Sequence, residues 1–286
     1  MSDVRHGAAA TWLASSTAAF LMVASVVAAG AAGAGDTPES VDAFMRTWHR
    51  VAEHPDEAAG KWFAFASAQR DRDLGRIAAL LNGIALLRDA IPANQVLDAV
   101  ISPQPAATEQ EAEASIVPGL VRQAAQGLRA RTAMRALAVK LQAHYRRHVE
   151  YPPSLAALVE AGFAAESDIV DPFGDPFQYA PMPRRLLPEL PRQTFQLRCQ
   201  KIDAQHRTFS SALKRSAKPM KDVLLSSVRP DLGQAYVKLM RRDGTPGPPL
   251  RWQVGKRLKN MTLWVVTDRY IVVALEQFPF LIEKAN

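Results

Sequence analysis

Apolar positions recur at helical spacing through the first third of the chain. Val41, Phe44, Met45, Trp48 and Val51 follow Thr37-Pro38, which places Thr37 as the N-cap and Pro38 in the first turn of a helix. A second amphipathic run covers 57–68, and a third covers 73–88 with Leu74, Ile77, Leu80, Leu81, Ile84 and Leu87. Ile91-Pro92 is predicted to close that run, because a residue before proline is pushed out of the helical region, and a short helix comes next over 93–101. Beyond Pro118 the pattern predicts a long helix, 118–148, with Ala130, Met134, Leu137, Leu141 and Tyr145 on one side. At 100° per residue, Arg122, Arg129, Lys140 and Arg147 fall within about 20° of one another, away from the apolar side. No acidic residue occurs between Glu113 and Glu150.

The next stretch, "YPPSLAALVEAGFAAESDIVDPFGDPFQYAP" over 151–181, changes the pattern. Pro152-Pro153 is predicted to stop the long helix, Ser154 to cap a short one, and Gly162 to end it. Leu155 and Leu158 would then fold back on the long helix. Asp171-Pro172 and Gly174-Asp175-Pro176 are turn chemistry leading to a strand at Phe177-Gln178-Tyr179. Alternation predicts further strands at 194–199, 235–240, 250–254, 262–266 and 270–276, with Thr267-Asp268-Arg269 as a tight link. Residues 203–228 read as helical or irregular.

The proline-bearing, acidic segment "SPQPAATEQEAEA" (102–114) separates two halves. Gly7 to Gly35 carry no charge; they come after a head containing Arg5 and end in Ala32-Gly33-Ala34. That is the layout of a secretory signal, and an uncleaved membrane anchor is the competing reading. Either predicts export of the chain downstream of it. With a single cysteine, Cys199, an intramolecular disulfide is excluded, so the exported chain depends on its apolar core. Cys199 itself is predicted to be a half-buried strand residue. The hydrophobic share of 48% suits a folded chain, and the net charge of +7 favours association with anionic surfaces or acidic partners.

The order of long helix, Tyr151-Pro152, Ser154-Leu155, Leu158 and Asp171-Pro172-Phe173-Gly174-Asp175-Pro176-Phe177-Gln178-Tyr179, with Leu137, Leu141 and Tyr145 before it, resembles the globular part of the type II secretion major pseudopilin, the protein G family. The resemblance covers about residues 130–181 and implies a long helix packed on a small antiparallel sheet. The chain departs from that family in three ways. Its apolar N-terminus lacks the prepilin-peptidase motif with its glutamate. A helical region intervenes before the matching helix. "FQLRCQKIDAQH" has no counterpart of the family's acidic calcium-binding loop. The resemblance therefore implies a shared fold within an exported protein, without calcium and without a role as filament subunit. A shorter stretch, "RWQVGKRLKNMTLWVVTDRYIVVALE" (251–276), is similar to the small β-domain of the type II secretion protein C and pilus-assembly protein P families, which are interaction modules of envelope machinery.

The expected fold class is thus α+β: an N-terminal helical region, then a pseudopilin-like long helix packed on a small antiparallel sheet. The expected organisation is a leader or anchor at 1–34, a helical region at 36–102, a linker at 103–117, helix plus sheet at 118–200 and a β-rich region at 201–286.

Candidate chemistry is sparse. His144 and His148 are four apart, the spacing of a metal-binding pair, but Arg146 and Arg147 stand among them and no further ligands cluster nearby. A solvated helix end accounts for them better. Glu166, Asp168, Asp171 and Asp175 crowd one loop, where Asp171 and Asp175 are explained as turn-formers beside proline and glycine. No Gly-x-Ser-x-Gly, His-Glu-x-x-His or phosphate-loop motif occurs. Lys214, Arg215, Lys218 and Lys221 form a small basic patch, read as a solvated face or a contact with anionic surfaces.

These features point to a non-enzymatic envelope protein with a structural or interaction role, linked to secretion or pilus-type machinery. Its expected partners are envelope or secretion-machinery proteins, or an anionic surface, and no nucleic acid or cofactor is expected. Arg122, Arg129, Lys140 and Arg147 are its expected interaction surface. The alternative is an exported enzyme or cell-wall-binding protein with a site between the two halves.

Overall fold

A computed structural model of the chain describes residues 36–70, 72–87, 89–102, 116–185, 192–202, 204–205, 222–241 and 243–284. The leader expectation, most of the 103–117 linker and the Lys214–Lys221 patch lie outside them. Contacts divide the chain into two compact units, Met1–Leu86 with Ile91–Pro118 and Leu87–Ala90 with Gly119–Asn286. No helix among the described residues is long and apolar enough to cross a membrane. The fold is α+β, with helices succeeded by small antiparallel sheets.

The first unit is helical: α1 (Pro38–Glu53), α2 (Ala58–Ala68), α3 (Asp73–Ala85) and α4 (Ala90–Ile101). Thr37 caps α1 as expected, its side chain accepting the Ser40 N–H. Phe44 is wholly buried and packs on Trp62 and Phe65 with ring centroids 5.3 and 5.4 Å away, and Trp48 meets Trp62 edge-on. Gly75 admits the Gln69 carbonyl so closely that an added Cβ would lie 1.7 Å from its oxygen. Ile91-Pro92 falls inside the first turn of α4, so it opens a helix where the sequence predicted a closure. Proline is tolerated there because first-turn N–H groups have no intrahelical acceptor.

Asp36 accepts the Leu74 N–H at the start of α3. Burial, reinforced by the neighbouring Asp73 carboxylate, pushes its carboxyl up to about 6, against the opposing pull of that N–H and of Arg72 and Arg76.

The second unit is built around α5 (Val117–His148). The helix ends at His148, and the next residue, Val149, adopts φ 62° and donates its N–H to the Tyr145 carbonyl at 2.7 Å. The turn out of the helix is therefore made before the proline pair, by a residue in the left-handed region that usually holds glycine. Ser154 caps α6 (Leu155–Glu160) by accepting the Ala157 N–H, and Gly162 with φ 74° ends it, both as expected. β1 (Gln178–Arg185), β2 (Arg192–Cys199) and β3 (Ala204–Gln205) form an antiparallel sheet in that order. Met134, Leu137 and Leu141 of α5 join Leu155 and Leu158 of α6 and Phe177, Leu197 and Cys199 in one buried cluster. Tyr145 stacks on Tyr151, Tyr151 meets Phe195 edge-on, and the Tyr179 hydroxyl donates to the Pro152 carbonyl at 2.8 Å. The aromatic and proline residues thus clamp the crossing from helix to sheet.

Two further antiparallel sheets complete the unit. β4 (Val223–Arg229), β5 (Gln234–Met240) and β6 (Pro246–Gln253) form one; β10 (Phe278–Glu283), β9 (Tyr270–Leu275), β8 (Met261–Val266) and β7 (Arg257–Leu258) form the other in that order. A parallel bridge between Leu225 and Lys284 joins them. The Thr267–Tyr270 link is tight as expected, the Tyr270 N–H donating to the Thr267 hydroxyl oxygen. β4 corrects the reading of 203–228, part of which is a strand, and β10 was not anticipated. In β10 the proline that argues against a strand, Pro279, lies opposite Ala274.

Two outcomes are expected. Leu141→Ala should cost about 2–5 kcal/mol, as truncations in a packed core do; an unchanged denaturation midpoint would show that the helix–sheet cluster does not hold the unit together. A carboxyl raised in the folded state binds its proton more tightly there than in the unfolded chain. Asp36 therefore costs the first unit stability as pH rises from 3.8 toward 6. Asp36→Asn, which keeps an acceptor for Leu74, should melt higher than the parent at pH 7 and equal to it below pH ~4. A difference independent of pH would refute this assignment.

Candidate functional site

The buried and exposed flanks of α5 change along its length. Val121, Ala125, Leu128 and Thr132 are buried in the first half, and Leu137, Ala138 and Leu141 in the second. Arg122 and Arg147 are exposed, while Arg129 and Lys140 are half-buried. The 166–168 turn brings Asp168 to Lys140, whose ammonium donates to its carboxylate. An acid thus stands beside the basic line in space, although none occurs in sequence between Glu113 and Glu150. Burial alone would raise the Asp168 carboxyl, but the Lys140 ammonium and the Ala165 N–H at 2.7 Å hold it below the usual carboxylate range. The line is therefore divided: Lys140 is engaged by the fold, and Arg122 and Arg147 are open to solvent.

Sequence reasoning passed over Arg131. It is only 4% exposed, and it donates to Gln277 Oε1 at 3.0 Å and to Glu276 Oε2 at 3.2 Å. These residues form the two-residue turn between β9 and β10. Gly127, one helical turn earlier, makes room for that turn: a Cβ there would lie 2.6 Å from Gln277 Cγ. Glu276 holds φ 58°, an uncommon conformation for a residue with a side chain. The only local signal was an arginine bordering the apolar flank, four residues after a glycine.

The other candidates are absorbed by the fold. Asp171 is buried; its Oδ1 accepts the Phe173 and Asp175 N–H groups at 2.9 and 3.0 Å, and its Oδ2 accepts from Cys199 Sγ at 3.1 Å. It organises the "DPFGDP" loop, as its position beside proline predicts. Cys199 is fully buried, more so than expected; burial first, and then the Asp171 carboxylate, push its thiol up to about 11. A thiol held protonated in this way is a poor nucleophile. Asp175 pairs at the surface with Lys201, 3.2 Å away. His144 and His148 lie with ring centroids 4.4 Å apart, and both rest on the edge of Phe163. His144 Nδ1 lies 2.9 Å from the Glu150 carbonyl, which fixes that nitrogen as the donor. The pair is therefore a packed helix end. Among the described residues no group of three or more histidine, cysteine or carboxylate side chains is placed to hold a metal ion.

The Arg131–Glu276 and Lys140–Asp168 ion pairs should differ in their contribution. Arg131→Leu strands hydrogen-bonded groups on Glu276 and Gln277 and should cost about 1–3 kcal/mol. Lys140→Met breaks a partly exposed pair and should cost less than about 1 kcal/mol. Urea denaturation of the two variants orders them; a larger loss for Lys140→Met would overturn the role given to Arg131.

No protein-family model, curated protein or solved structure matches this chain.

Proposed function

We propose that this chain is a non-enzymatic, exported protein of the cell envelope, in which α5 and its small sheet form a pseudopilin-like platform for protein–protein contact. The machinery it serves is of the secretion or pilus type. The observation that carries this reading is the basic line of α5, whose outer members Arg122 and Arg147 are exposed on a helix anchored along its other flank. Exposed arginines on a rigid element favour long-range attraction to acidic partners and contribute little to folding. Three sequence features support the assignment: the uncharged leader, the resemblance over 130–181 to the protein G family, and that of 251–276 to the protein C and pilus-assembly protein P families.

Fractionation of native cells, with intact-mass measurement of the recovered chain, tests the reading. The expected product lacks about the first 34 residues and sediments with the envelope. Arg122→Glu/Arg147→Glu should be released from that fraction at lower salt, with its melting temperature unchanged. A full-length chain recovered from the cytosol would refute the envelope assignment. A doubly reversed chain that melts lower but stays bound would make the line architectural.

A further inference from the structure

The arginines of α5 do not all lie on the basic line. On the second half of the helix Arg135, Ala136, Val139, Ala143, Arg146 and Arg147 are all exposed, Val139 by 62%. At 100° per residue, Ala136, Val139 and Ala143 form a seam, with Arg135 and Arg146 along one border and Arg147 along the other. Within α5 there is no carboxylate; Glu276 and Asp168, which reach the helix from elsewhere in the fold, are held by Arg131 and Lys140, and Glu150 follows its C-terminal end. The face therefore combines a shallow apolar seam with cationic borders.

Its charge and shape select among coverings. A second copy of the chain would set arginine against arginine, and like charges oppose docking. A lipid surface takes helices that bury bulky Trp, Phe or Leu side chains, whereas this seam offers Ala, Val and Ala. Small side chains instead let another helix approach closely, at an interaxial distance set by the residues in contact. Guanidinium groups on both borders match carboxylates in paired, planar hydrogen bonds.

We propose that the 135–147 face of α5 docks an acidic amphipathic helix of a partner protein, its apolar stripe on Ala136, Val139 and Ala143 and its carboxylates on Arg135, Arg146 and Arg147. The biological setting of this contact rests on the platform reading above; its measurement does not. The full chain is titrated, by fluorescence anisotropy, against three probes. These are a labelled synthetic helix with a Leu/Ala stripe flanked by Glu, a scrambled peptide of the same composition, and vesicles of anionic phosphatidylglycerol. The ordered peptide should bind at least about fivefold more tightly than the scrambled one, since only the former aligns stripe and charges. Arg135→Glu/Arg146→Glu should weaken it about tenfold or more, while Arg251→Glu/Lys256→Glu, the same charge change on exposed positions of the β region, should alter it less than about twofold. Val139→Arg, which keeps every arginine and blocks the seam, should also weaken it about tenfold. Equal binding of the two peptides, equal loss in both double variants, or retention by vesicles with no binding of the ordered peptide would each overturn the proposal. Recovery of the protein from the cytosol would refute the envelope reading and leave this titration unaffected.

Discussion

The seating of α5 is the constraint on which the rest of the second unit depends. Leu137 and Leu141 are at most 1% exposed because the sheet β1–β3 and the short helix α6 close over them. Burial of such side chains is worth about 1.5–3 kcal/mol each relative to exposure. The intervening chain has to reverse within a few residues for the cover to form. Val149 turns it out of the helix, Ser154 and Gly162 frame α6, and Asp171 ties the last loop through its carboxylate. Each of these devices satisfies backbone groups that the reversal would otherwise leave unpaired.

Nearer its N-terminus, the same helix makes a contact of another physical kind. Arg131 is a cation with almost no exposure, acceptable there because Glu276 and Gln277 reach it from the β9–β10 turn. Ion pairs of this sort add little net stability compared with a well-packed apolar alternative, but leaving one partner of a buried pair without the other is costly. Apolar contacts thus supply cohesion on one stretch of α5, and a directional polar contact sets alignment on the next. Arg122, Arg135, Arg146 and Arg147 are exposed, where charge influences association more than folding.

Much of this was legible in the sequence, where local periodicity and final structure agree. The 3.6-residue spacing of Leu137, Leu141 and Tyr145, the serine cap, the glycine stop and the proline turns each act over a few residues, and each occurs as read. What escaped notice depends on distant partners or lacks its customary signal. The β9–β10 turn is Glu276-Gln277, without the asparagine or glycine that marks most tight hairpins, so the strand after it went unread. The residue that turns the chain out of α5 is a valine, which no stop rule anticipates. At the candidate surface, the alignment of Arg122, Arg129, Lys140 and Arg147 comes from arithmetic alone. The engagement of Lys140 does not, because Asp168 stands 28 residues away.

The Arg131–Gln277 hydrogen bond spans 146 positions of the chain. Closing so wide a loop carries an entropic cost, and contacts of that separation slow folding relative to local ones. During synthesis α5 leaves the ribosome long before the turn that receives its arginine. Until β9 and β10 emerge, Arg131 and the groove at Gly127 have only water or foreign surfaces to face. The nascent chain is thus open to misassembly in the interval between making α5 and making the turn that covers Gly127 and Arg131, and this feature of the fold calls for protection in time as well as in space.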